Sequence, residues 1–266
     1  FFLKINPLYA KNCFKEDYIN FVSDSVGCIA ITIHTDYKNI SELQRKNKAV
    51  FFIHGDQIYP KVTYFDEFVE KFSKSESLII SITRPGWTNI KNNRSEGKKN
   101  ISNGDNYIPK VDVDPIYRII KKIKKKYDLS ETVLIGHSGG AAIAGILIGR
   151  FSSLIDNVVL ISCPCVVPLW RKNFFEKKIV KNRGRFCLPK YLSKSPHDFV
   201  FSIDNNISIH IFVGDEDTNT IPLLSSIYHQ ILADNGKISE FSIVDGNHLS
   251  ILDNQKLINK IKNILI

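Results

Sequence analysis

Two β-branched, partly alternating runs open the chain, YINFVSDS (18–25) and GCIAITIHT (27–35), joined by a turn-like Asp-Ser-Val-Gly. They predict a hairpin. NKAVFFIHG (47–55) is a continuous apolar strand that ends in His-Gly. YFDEFVEKFSK (64–74) repeats apolar residues at 65, 68, 69 and 72, the spacing of a helix with one greasy side. SLIISITRPG (77–86) is again an apolar strand, stopped by Pro85-Gly86, and the Asn-, Ser-, Gly- and Lys-rich stretch 88–114 predicts a long loop. IYRIIKKIKKKYDLS (116–130) places Ile116, Ile119, Ile120, Ile123 and Tyr127 at helical spacing, so its lysines form the opposite, wet face.

The strand TVLI (132–135), a small-residue helix (139–151) and the strand NVVLIS (157–162) follow. Residues 165–206 break the rhythm: they carry WRKNFFEKK, a basic Asn-Arg-Gly-Arg tract and several prolines, with no clear strand. The alternation resumes with SIHIFVG (208–214), the helix PLLSSIYHQILADNG (222–236), the strand KISEFSIV (237–244) and a last helix, DNQKLINKIKNILI (253–266). Gly236 stands where a helix C-cap glycine belongs and Asp253 where an N-cap does. Apolar strands alternating with helices predict an α/β fold, a mostly parallel sheet covered on both faces. No internal repeat is visible. The reading is a single domain over 1–266, with 165–206 inserted above the sheet as a lid or cap.

Composition changes this picture little. A chain of 266 residues with 43% hydrophobic residues can bury a substantial core. The net charge of +9 invites a nucleic-acid partner, but the lysines are dispersed, and the densest run is the wet face of one helix. No nucleic-acid or membrane partner is expected, and no apolar run reaches membrane-spanning length. The start, FFLKINPLYAKN, has lysines within any would-be apolar region and is read as mature structure rather than a signal. Five cysteines (13, 28, 163, 165, 187) form no small-domain framework, which predicts buried thiols in a reducing, cytoplasmic compartment. Cys163-Pro164-Cys165 lacks CxxC spacing and a second ligand pair, and the seven histidines form no HExxH-like cluster, so no metal and no cofactor are expected.

In a parallel α/β sheet the loops after the strands converge on one rim, where ligands bind. Four such loops carry chemistry here: Gly136-His137-Ser138-Gly139-Gly140, Gly214-Asp215-Glu216-Asp217, Asp245-Gly246-Asn247-His248 and His54-Gly55-Asp56-Gln57. A serine hydroxyl is a weak nucleophile until a neighbouring base takes its proton. Holding Ser138 on a strand-to-helix turn needs small neighbours, which explains glycines 136, 139 and 140 and the following Ala141, Ala142, Ala144 and Gly145. The helix N-terminus favours negative charge beside Ser138. The N–H of Gly139, with one from the His54-Gly55-Asp56 turn, can hold a developing oxyanion. His248 is the candidate base, oriented by a carboxylate. His137 occupies a variable position of the turn and is read as structural, and His54 as shaping the oxyanion turn by hydrogen bonding.

GHSGG matches the GxSxG nucleophile elbow, and the order serine, acid, histidine completes the resemblance to the α/β-hydrolases. It spans the chain from the opening hairpin to the last helix, with 165–206 where that family places its variable lid. RPGW (84–87) also resembles a turn common in the family. The resemblance implies Ser138 as nucleophile, His248 as base, and the backbone N–H groups of Gly139 and Asp56 as oxyanion donors. Some members carry the acid after the strand that here ends at Ile161-Ser162, but Cys-Pro-Cys-Val follows. That leaves 214–220, where the Gly-x-x-Asp pattern selects Asp217, with Asp215 as the alternative. Trp170, in the lid, and Trp87 are candidates for lining a substrate pocket. The expected activity is cleavage of a small carboxylic ester, thioester or amide through an acyl-serine, in the manner of a carboxylesterase. Acyl transfer to another acceptor, a serine peptidase and a non-catalytic binding protein are the alternatives. The sequence is silent on oligomeric state.

Overall fold

The computed structural model describes residues 13, 15–25, 27–37, 40–57, 61–97, 107–173 and 192–266. Eight strands form one sheet: β1 (Phe21–Asp24), β2 (Gly27–Ile33), β3 (Lys48–Ile53), β4 (Leu78–Ile82), β5 (Glu131–His137), β6 (Asn157–Ile161), β7 (Ser208–Gly214) and β8 (Ser239–Val244). Their spatial order is β1-β2-β4-β3-β5-β6-β7-β8. The opening pair is the expected hairpin, antiparallel from Phe21 against Ala30 to Asp24 against Gly27. β2 also runs antiparallel to β4, and every pairing from β4 to β8 is parallel.

The helices in chain order are α1 (Ile40–Leu43), α2 (Tyr64–Glu70), α3 (Asp114–Tyr127), α4 (Gly139–Arg150), α5 (Pro222–Asp234) and α6 (Gln255–Leu265). They cover both faces, which is why the central strands are apolar without interruption. In β3, Ala49, Phe51 and Ile53 join one buried cluster with residues of α3, α4 and α5. Val50 and Phe52 join the other, with Phe65 and Phe68 of α2 and Leu257, Ile258 and Ile261 of α6. Phe52 alone meets the rings of Phe65, Phe68 and Phe72 at 6.1, 6.1 and 5.7 Å, so truncating it to Ala costs about 3–5 kcal/mol.

The basic helix behaves as its period requires. α3 buries Ile116, Ile119, Ile120, Ile123 and Tyr127, and it ends at Asp128 in a left-handed conformation (φ 53°). It begins earlier than expected, directly after a π-helical turn at Pro109–Val113, within the stretch whose composition predicts a loop. The Asp112 carboxylate accepts the Ile108 N–H at 2.8 Å and Val113 is fully buried, so local polar bonding and packing supply what periodicity did not show. At the last helix the cap is Asn254 rather than Asp253: the Asn254 side chain accepts the N–H groups of Lys256 and Leu257. Asp253 instead ends a 3-10 turn and pairs with Lys71. Gly236 does adopt a positive φ, at +67°.

Of the stretch 165–206, residues 174–191 lie outside the described residues. Residues 167–173 are helical, and a 3-10 helix at Pro196–Ser202 packs on α4, with Val200 fully buried. The cysteines depart from expectation. Cys13 is bonded to Cys28 and Cys163 to Cys165, with Cα separations of 4.8 and 5.0 Å, while Cys187 lies outside the described residues. This pairing removes the argument for a reducing compartment, which rested on unpaired thiols. Among the described residues no helix is long and apolar enough to cross a membrane.

Candidate active site

β5 delivers His137 to the rim, and α4 starts at Gly139. Between them Ser138 has φ 53° and ψ −121°, a conformation costly for any residue with a Cβ. The turn closes only because its flanks are bare. A Cβ on Gly136 would stand 2.6 Å from the Cα of Ala141, and one on Gly140 would overlap the carbonyl of Ile53 in β3. The glycines noted in the sequence therefore serve close packing of elbow, helix and neighbouring strand.

Three rim loops meet at this hydroxyl. Ser138 Oγ lies 2.9 Å from His248 Nε2. On the other side of the ring, His248 Nδ1 donates to Asp217 Oδ2 at 2.8 Å. The Asp217 carboxylate is fully buried and saturated: Oδ1 accepts the N–H groups of Asn219 and Thr220, both at 2.9 Å, and Oδ2 also accepts the Thr220 hydroxyl at 2.7 Å. Burial pushes its pKa up, but the bond and charge of His248 and the bonds from Thr220 outweigh it and hold it at about 2. Asp215 is placed differently. Its Oδ1 accepts the Gly246 N–H at 2.9 Å and fastens the β7 loop to the β8 loop.

His137 makes a second tie between the Ser138 turn and the His248 loop. Its Nε2 lies 2.8 Å from the carbonyl oxygen of His248, which can only accept, so the proton sits on Nε2. Nδ1 then accepts the Tyr64 hydroxyl at 2.9 Å, and the Tyr64 oxygen accepts the Gly55 N–H at 2.8 Å. Burial, with repulsion from His248, brings His137 down to about 3, so it stays neutral. One chain of hydrogen bonds thus runs from Gly55 through Tyr64 and His137 to the main chain of His248.

The Gly55-Asp56 turn is shaped by His54, whose Nδ1 donates to the Gly55 carbonyl at 2.8 Å while Nε2 accepts the Arg84 N–H at 3.1 Å. Neither the Asp56 nor the Gly139 N–H is committed to a carbonyl among the described residues. Trp87 is 2% exposed and packs edge-on against His54, with centroids 5.1 Å apart, and under Arg84; it stands behind the turn rather than in the cavity. Trp170 is half-buried, and its indole N–H reaches Asn219 Oδ1 at 3.4 Å, while Asn219 Nδ2 lies 3.3 Å from His248 Nε2.

Sequence reasoning missed Thr220, Tyr64, Arg84 and Tyr107. Arg84 Nη1 bonds Asp56 Oδ1 at 2.7 Å and the Tyr107 hydroxyl donates to Asp56 Oδ2 at 3.1 Å. Burial works against the Arg84 charge, but the Asp56 and Asp112 carboxylates more than offset it. The RPGW turn was the one signal for Arg84, and the Asp-x-x-Thr spacing, typical of side chains that bond nearby backbone, the one for Thr220. A cavity of about 490 Å³ opens over the site, and Asp56, Gln57, Ser138, Asn219, Asn247 and His248 are among its walls.

No model of a known protein family matches the chain, and none of the curated proteins does. Solved structures do. A lipase-esterase related protein from Clostridium acetobutylicum superposes with a TM-score of 0.60 at 16% identity, over 88% of this chain and 98% of that one. The Pyrococcus furiosus esterase Pf2001 gives 0.61 at 18% identity, over 84% and 83% of the two chains. Est1E from Butyrivibrio proteoclasticus, solved with ferulic acid bound, gives 0.59 at 16% identity, over 89% and 93%. With its eight-stranded, mostly parallel sheet flanked by helices, the chain has the α/β-hydrolase fold.

Proposed function

We propose that the protein is a serine hydrolase that cleaves a small carboxylic ester, thioester or amide through an acyl-serine intermediate. The observation that carries this reading is the unbroken line from Ser138 Oγ to His248 Nε2 at 2.9 Å and from His248 Nδ1 to Asp217 at 2.8 Å. The Asp217 carboxylate fixes the proton on Nδ1, leaving the Nε2 lone pair facing the hydroxyl. As Ser138 attacks the carbonyl carbon, His248 takes its proton, and the carbonyl oxygen gains negative charge between the N–H groups of Gly139 and Asp56. One such donor contributes about 2.7–4 kcal/mol to lowering the barrier. His248 then returns the proton to the leaving alcohol, thiol or amine, and water, deprotonated by the same ring, releases the acid. The names of the superposed structures, a lipase-esterase related protein and two esterases, agree with this chemistry.

Labelling with a fluorophosphonate probe tests the reading. The wild type is expected to gain one adduct, located by mass spectrometry on Ser138, and Ser138→Ala to gain none. A folded wild type that takes up no probe would overturn the assignment. Hydrolysis of p-nitrophenyl esters of increasing chain length then sizes the acyl site.

A further inference from the structure

Among groups facing the cavity, the Asp56 side chain has no part in the proton-transfer line, yet it lies beside the place where negative charge develops. A Cβ on Gly139 would stand 2.6 Å from Asp56 Oδ2 and 3.0 Å from Oδ1, so the carboxylate lies flat against the residue whose N–H faces the oxyanion. An acidic group there opposes the charge of the transition state. Arg84, 3% exposed, offsets this by pairing with Oδ1, and Tyr107 bonds Oδ2. Each oxygen has two acceptor sites and one partner among the described residues. The side chain is 25% exposed, and Asp56 lines the cavity that holds Ser138. A carboxylate held by a buried guanidinium and a tyrosine, with acceptor capacity left on both oxygens, can accept a further hydrogen bond.

Resting on the hydrolase reading above, we infer that the site selects a substrate with a neutral hydroxyl one or two carbons from the scissile ester, and that Asp56 accepts the hydrogen bond from that hydroxyl. The distance follows from the backbone: the Asp56 N–H that faces the carbonyl oxygen and the carboxylate spring from the same Cα. Neutrality follows from the surroundings. The Asp56 charge is already balanced by Arg84, so an ammonium there would be repelled by the guanidinium across the carboxylate. The other polar walls, Gln57, Thr218, Asn219 and Asn247, are uncharged and suit a hydroxylated substrate better than a plain aliphatic one.

The test is a matched panel on the full chain: p-nitrophenyl butyrate, its 2-hydroxy and 3-hydroxy analogues, the 3-amino analogue, and butyrate esterified with ethanol or with ethylene glycol. At least one hydroxylated member is expected to exceed its plain counterpart about tenfold in kcat/KM, after subtraction of spontaneous hydrolysis, as befits one hydrogen bond to a charged acceptor. In Asp56→Asn that ratio is expected to fall at least about threefold; using the ratio cancels any loss that strikes both substrates alike. Wild-type ratios at or below one across the panel would overturn the inference, even if Asp56→Asn fails to fold. An unchanged ratio in a folded Asp56→Asn would also overturn it, and an amino ester that outruns the hydroxylated ones would overturn the neutral-donor assignment. Turnover of plain esters with fluorophosphonate labelling but no hydroxyl preference removes this inference alone. No labelling and no turnover of any ester removes the hydrolase reading with it.

Discussion

Replacing Asp217 with Asn changes one atom and, by the geometry of the loop, should invert the base. Oδ1 is pinned by two backbone N–H groups, from Asn219 and Thr220. The amide oxygen of the substituted side chain must take that place, which puts its NH₂ where Oδ2 stood, facing His248 Nδ1. That NH₂ can only donate, so the ring proton moves to Nε2 and points at the Ser138 hydroxyl it should accept from. Restoring the working tautomer sets two N–H groups against each other in a buried site, at about 1–3 kcal/mol. In the proposed mechanism the imidazolium of the transition state also loses a carboxylate partner, worth about 4 kcal/mol for charges 4 Å apart at an effective dielectric of 20. Together these give about 5–7 kcal/mol, or a loss of about 10⁴–10⁵-fold in kcat. Asp215→Asn keeps an acceptor for the Gly246 N–H and is expected to stay within a few-fold of wild type. Ester hydrolysis at pH 8, with thermal melts to establish folding, decides the matter. If Asp217→Asn keeps a tenth of the activity while Asp215→Asn loses it, the assignment of the acid is wrong.

Tyr64→Phe takes the donor from His137 and the acceptor from Gly55; kcat is expected to fall about 10–100-fold with little change in KM, and steady-state kinetics in which KM alone moves would contradict the positioning role. Asp66 is raised to about 6, chiefly by burial and then by Glu70. Its folded value lies above its unfolded one, so its contribution is complete below about pH 4 and is lost as pH rises through 6. Asp66→Asn should therefore stabilise the protein by about 1–2 kcal/mol at pH 8 and not at pH 4, and thermal melts showing equal gains at both would refute this. His137 is depressed to about 3, so its contribution is complete above pH 6.5 and lost as pH falls towards 3. Urea unfolding of wild type should weaken by about 1.4 kcal/mol per pH unit more steeply than that of His137→Gln between pH 6 and 4; parallel slopes would exclude the buried imidazole as the cause.

Much of this architecture is written in local pattern. The apolar run of β3 has to be a strand covered on both faces, and the five apolar positions of α3 have to share one side. Glycines at 136, 139 and 140 announce a turn under steric pressure because the restriction acts between residues a few positions apart. What sequence left open depends on partners far along the chain. Asp215 and Asp217 stand two positions apart in one loop, and only contact with His248 for one and Gly246 for the other separates them. Arg84 and Tyr107 converge on Asp56 from 28 and 51 residues away, and no periodicity records that. The π-helical turn at Pro109–Val113 and the cap at Asn254 were misread for a related reason: a polar residue that bonds its own backbone looks, by composition, like any loop residue.

The thread from Gly55 through Tyr64 and His137 to the His248 carbonyl also bears on how the molecule fails when heated. Many enzymes lose turnover well before they melt, because a floppy rim loosens first. Here the rim segments are sewn to a central strand of the sheet by part-buried hydrogen bonds. Inactivation and melting should therefore share one midpoint, with no warm interval in which a folded molecule sits idle.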